Sequence, residues 1–97
     1  MSIINLEGRE YLRIGTEPRL LLIKSEPEVI PTRRGYQPVI IVEEVHQGKE
    51  YIFFISAASV TDPLEEIRKV RGQLAGSQIL VKKASEDPRS QYVVSEL

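Results

Sequence analysis

A chain of 97 residues holds one domain rather than two, and it buries roughly 60 to 65% of the surface its unfolded form exposes, so its core must be efficient. Thirteen basic and fourteen acidic residues nearly cancel, to a formal charge of −1, so net charge does not advertise a nucleic-acid partner and the placement of the cations must carry any such function. The absence of cysteine excludes disulfides, thiolate metal ligands and cysteine nucleophiles together.

Residues 1–19 read as a polar lead-in without the apolar core of a signal peptide, so a cytoplasmic protein is expected. Apolar runs such as Val39–Val42 and Ile52–Ile55 fall far short of the roughly 20 residues that span a bilayer. Within the lead-in, Tyr11-Leu12-Arg13-Ile14 alternates and suits a short strand that pairs with the rest of the chain or covers an edge, and Gly15-Thr16-Glu17-Pro18 then turns. The first long strand spans Leu20–Val29. Pro27 cannot donate to a ladder, so it belongs at an edge or a bulge where that strand bends.

Pro31–Pro38 reads as the first loop, and its core Thr32-Arg33-Arg34-Gly35-Tyr36 concentrates cation, glycine and aromatic ring. Two further strands, Gln37–His46 and Glu50–Ser56, are joined by a hairpin in which Gly48 supplies positive φ. Phe53 and Phe54 are neighbours on a strand and must face opposite ways. With Gln47-Gly48 as a two-residue turn, Phe53 pairs with Val42 and Ile55 with Ile40, leaving Phe54 outward with Ile41, Ile52 and Glu43. A three-residue loop slips the register by one and exchanges the two rings. The expectation is Phe54 outward.

A single helix is expected from Asp62 to about Arg71, with Asp62 capping the free amides, Pro63 where a missing N–H costs nothing, and Glu65 completing a capping box. Leu64, Ile67, Val70 and Leu74 make one apolar stripe facing a core. Strands Gln78–Lys83 and Gln91–Ser95 follow, separated by a loop at Ala84–Ser90 that holds Glu86, Asp87 and Arg89. Strand, strand, strand, helix, strand, strand is the order of an OB barrel. The expected fold is therefore all-β with one helix: a five-stranded Greek-key barrel over 20–97, with 1–19 as its extension, in a single domain.

Carried by Ser25-Glu26-Pro27 leading into Thr32-Arg33-Arg34-Gly35-Tyr36, by Gly48-Lys49, Phe54-Ile55-Ser56, Leu74-Ala75-Gly76-Ser77 and Gln91-Tyr92-Val93-Val94, the chain resembles small single-domain OB-fold single-stranded DNA-binding proteins of the archaeal and phage type. The resemblance runs from Glu10-Tyr11-Leu12 nearly to the end. It implies non-enzymatic binding of single-stranded nucleic acid on the outer face of the first three strands and in the flanking loops. The chain departs from that family's usual pattern in having no tryptophan and in its acidic last loop.

The expected site residues are Lys24, Arg33, Arg34 and Arg89 for phosphate, with Tyr36 and Phe54 as stacking rings. Lys82 reads as part of a solvated face and His46 as a turn residue. Ser56, Ser59 and Thr61 have no base nearby to make a nucleophile, and Glu43-Glu44 on a strand face opposite ways. Neither metal nor cofactor is expected, and an enzyme is the weakest reading. Two rivals stand beside single-stranded DNA binding: an RNA-binding OB domain, and a subunit that joins a larger assembly through a barrel edge or the outward phenylalanine.

Overall fold

A computed structural model describes residues 9–97, and these form seven strands and one helix. The first eight positions of the expected lead-in lie outside the described residues. In chain order the elements are β1 (Glu10–Tyr11), β2 (Arg19–Ile23), β3 (Glu28–Thr32), β4 (Gly35–Glu44), β5 (Lys49–Phe54), α1 (Ala58–Arg71), β6 (Gln78–Lys83) and β7 (Tyr92–Glu96). The described residues are thus mostly β-sheet with a single helix. No described helix is long and apolar enough to cross a membrane.

One sheet runs β1-β5-β4-β2-β6-β7, with β3 also on β4, and β1 and β7 are its two ends. The expected first strand is two strands. β2 stops at Ile23 because its backbone turns to the loop after the helix: the Ile23 N–H donates to the Ser77 carbonyl at 2.9 Å, and the Gly76 N–H donates to the Ile23 carbonyl at 2.8 Å. Glu26 fixes the break by accepting from the N–H groups of Leu74 (3.0 Å) and Ala75 (2.7 Å). Pro27 sits in this irregular stretch, where no ladder bond is asked of it. β3 then resumes on the same edge of β4, with Glu28 opposite Val39 and Thr32 opposite Gly35. The expected loop at Pro31–Pro38 is corrected accordingly: it is the tip of a β3–β4 hairpin, and both prolines lie within strands.

The β4–β5 pairing places Ile40 opposite Phe53 and Val39 opposite Phe54. The connection is the four-residue turn 45–48, so the register differs by two from the one a Gln47-Gly48 turn would give. A slip of two keeps every side chain on its face. Phe53 is therefore in the core at 3% exposure, packed with Leu21, Ile23, Ile40, Val42, Ile79 and Val81, and the helix covers this face through Val60, Leu64 and Ile67. On the opposite face Ile30, Val39, Ile41 and Ile52 form a second, smaller cluster with Phe54 packed against it.

The helix begins at Ala58, ahead of the expected Asp62, and its N-cap Ala57 makes no side-chain cap bond. Tertiary contacts set the start instead. Val60 is fully buried, Ser59 Oγ accepts from the Tyr92 N–H at 3.1 Å, and the Thr61 hydroxyl donates back to the carbonyls of Ile55 and Ala57. Pro63 consequently lies inside the helix, where it forgoes the bond to the Ser59 carbonyl, and Glu65 pairs with Arg68 rather than closing a capping box. The buried stripe takes its phase from Val60, so Val70, expected in the core, is 82% exposed. The end is as expected at Arg71, with Gly72 left-handed at φ 84° and its N–H donating to the Arg68 carbonyl.

Candidate nucleic-acid interface

At the tip of the β3–β4 hairpin Arg33 and Arg34 form a two-residue turn in which neither has positive φ, Gly35 has φ 94°, and the strands pair one to one up to Thr32 opposite Gly35. Thr32 satisfies the turn's backbone: its hydroxyl donates to the Gly35 carbonyl at 2.7 Å and accepts from the Arg34 N–H at 3.1 Å. With the backbone bonded locally, the guanidinium groups are left over. Both arginines are exposed, and neither side chain makes an ion pair or hydrogen bond among the described residues.

Most other cations are already engaged. Arg9 meets Glu50 at 2.8 Å, Lys49 meets Glu10 at 3.2 Å, and Lys24 meets Glu43 at 3.8 Å. On and after the helix Arg68 meets Glu65, Lys69 meets Glu66 and Arg71 meets Glu96. Arg68 and Glu65 hold one another's charge: their hydrogen bond lowers the Glu65 carboxyl from its ordinary value and raises Arg68.

A groove of about 650 Å³ opens beside the hairpin tip. Arg33, Arg34, Pro31 and Thr32 line one side of it, and Tyr11, Gln37, Phe54 and Ser56 line the remainder. Two of these rings meet: Tyr11 stacks on Phe54 with centroids 5.1 Å apart and planes 19° from parallel. Phe54 is held by its pairing opposite Val39. Tyr11 is carried in by β1, which adds to β5 in parallel, Glu10 opposite Tyr51 and Tyr11 opposite Ile52. The Leu12 N–H extends that pairing by donating to the Ile52 carbonyl at 2.9 Å, and the buried Leu12 side chain anchors it. Two unpaired guanidiniums beside a pair of stacked rings can hold a phosphate and offer a flat apolar face to a planar ring.

Of the six expected site residues, Arg33, Arg34 and Phe54 line this groove. The other three do not. Tyr36 is 75% exposed and, by strand alternation, faces away from Gln37. Lys24 follows β2 and is tied to Glu43. Arg89 sits in the β6–β7 loop, where its N–H donates to Asp87 Oδ1 at 2.8 Å. His46 is exposed in the β4–β5 turn.

Sequence reasoning missed Tyr11 and Gln37 as lining residues. The alternation of Tyr11-Leu12-Arg13-Ile14 signals a strand, yet nothing local says that the strand lies along β5. For Gln37 the signal is present: the expected strand Gln37–His46 already sets it on the face of Val39 and Ile41, the face of the outward Phe54. Among the described residues no cluster of three or more His, Cys, Asp or Glu could hold a metal ion. Comparison of the chain with protein-family models, with curated proteins and with solved structures finds no match.

Proposed function

We propose that the chain binds single-stranded nucleic acid, single-stranded DNA foremost, without catalysis and with little sequence preference, through the groove at the β3–β4 hairpin. One observation carries this reading: the unengaged Arg33 and Arg34 share a groove with the stacked rings of Tyr11 and Phe54. Phosphate-directed charge beside a base-stacking platform is the physical requirement for gripping a flexible strand whose bases are unpaired. A duplex, with its bases stacked on one another, gains nothing from the rings.

The same reading takes the sheet as a partly open OB-type barrel. In support, β2 and β3 act as the halves of one bent strand along β4, β2 also pairs β6, β6 pairs β7, and the helix falls between β5 and β6. In that fold the curved outer face and the hairpin loops are the usual oligonucleotide surface.

The test is a titration of labelled single-stranded DNA, single-stranded RNA and duplex DNA at two salt concentrations. Single strands should bind more tightly than duplex, and affinity should fall only gently with salt, by roughly 0.7 in log–log slope for each phosphate neutralised. Tighter binding of RNA than of DNA would make RNA the natural strand. Absence of binding to a long oligonucleotide in low salt would remove this reading and leave a protein-interaction subunit.

A further inference from the structure

Gln37 stands on β4 two residues from Gly35 at the hairpin turn and two from Val39, the partner of Phe54, so about 7 Å of strand separates it from each. A nucleotide stacked on the rings with its phosphate toward Arg33 and Arg34 therefore passes over it. The side chain is half-buried, lines the groove and makes no hydrogen bond among the described residues. Its amide is not sealed in the core: Ser77 Oγ is the buried side-chain atom left without a partner among the described residues, and no atom of Gln37 is. Thr32, by contrast, has committed its hydroxyl to the turn.

We propose that Gln37 hydrogen-bonds the edge of the bound base and does so alike for every base, making the site indifferent to sequence rather than blind to bases. The proposal rests on the strand-binding reading above. A carboxamide carries an acceptor and a donor side by side, and rotation about its last torsion exchanges them. Adenine and cytosine offer an amino donor beside a ring-nitrogen acceptor. Guanine and thymine offer a carbonyl acceptor beside a ring N–H donor. One orientation of the amide meets the first pair and the opposite orientation meets the second.

A carboxylate at this position has acceptors only. Two adjacent donors exist on guanine alone, at N1–H and the 2-amino group, and hypoxanthine is guanine without that amino group. Single strands differing only by guanine or hypoxanthine at the same positions thus isolate the edge contact, because both bases are purines with the same carbonyl and ring N–H. The wild-type chain should bind the two strands within about twofold. Gln37→Glu should favour the guanine strand by about tenfold, the scale of one hydrogen bond to a charged group. Its added negative charge weakens both strands equally and cancels in the ratio.

Gln37→Leu should weaken both strands alike. An unaltered ratio in Gln37→Glu, or unaltered affinity in Gln37→Leu, overturns the inference while leaving strand binding in place. Failure of the wild-type chain to bind either strand overturns the strand-binding reading itself, and this inference with it.

Discussion

β4 ends in a turn on each side, and the two turns use their polar groups in opposite ways. At the β4–β5 turn Glu44, 5% exposed, accepts from the N–H groups of His46 and Gln47 through its carboxylate, and its carbonyl accepts from Gln47 and Gly48. The Tyr51 hydroxyl donates to Gln47 Oε1, Lys49 lies over the Tyr51 ring and meets Glu10, and Arg9 meets Glu50. At the β3–β4 turn Thr32 supplies the side-chain bonds to the backbone, and two arginines project with no partner among the described residues. A fold at almost zero net charge can still offer a cationic contact, provided the acids are spent elsewhere. The difference between the turns is where the acids sit.

A baseline for both ends comes from the strand between them. Phe53→Ala removes a ring packed among Leu21, Ile40, Val42 and Val81 and should cost about 3–5 kcal/mol in denaturant unfolding. Phe54→Leu, on the other face, should change stability far less and instead weaken single-strand binding by about 1–3 kcal/mol with the salt slope unchanged, because stacking releases no counterions. A large stability loss for Phe54 and a small one for Phe53 would reverse the faces. At the closed turn Glu44→Ala removes the only side-chain acceptor of the His46 N–H, while the Gln47 N–H keeps the Glu44 carbonyl. It should cost about 0.5–1.5 kcal/mol of stability and leave strand binding intact.

How much of this is legible in the sequence depends on whether the deciding contact is local. Gln78–Lys83 can be read with its observed bounds because the run alternates and has turn chemistry on both sides. The face of Phe54 is also legible, since a register error of two residues leaves faces unchanged. The helix start is not. Asp62-Pro63-Glu65 is a strong local signature, yet the buried Val60 and the Ser59 bond to Tyr92, more than thirty residues away, outweigh it. Pro31 and Pro38 argue for a loop, while an edge strand such as β3 accommodates Pro31 without an N–H to donate. The groove itself needs Tyr11 brought alongside Phe54, a contact more than forty residues apart that no periodicity encodes.

The open turn is tested by charge. Replacing Arg33 and Arg34 together by Ala should weaken binding to every single strand and lower the salt slope by about 0.7 for each phosphate no longer neutralised, with stability unchanged because both side chains are exposed. Lys49→Ala, at the closed turn, should do neither to binding. Equal effects at the two turns would mean that general surface charge, not the groove, holds the strand.

The smallest expected effect separates engaged from unengaged arginine. Arg68 hydrogen-bonds Glu65 one helical turn earlier, and this bond holds the Glu65 carboxyl below its ordinary range. A carboxyl whose folded value is lowered contributes stability above its unfolded value and loses it as pH falls through the folded one. Glu65 should therefore add a slight downturn to the acid limb of the stability curve, and Glu65→Gln should flatten that part while barely altering stability at neutral pH, as expected of an exposed pair screened by solvent. Arg68→Ala should flatten the same acid limb and leave the salt dependence of strand binding untouched. A drop in that salt slope for Arg68→Ala, comparable to the effect of removing one groove arginine, would show that an arginine with an internal partner still serves the strand, and the contrast between the two ends of β4 would no longer locate the site.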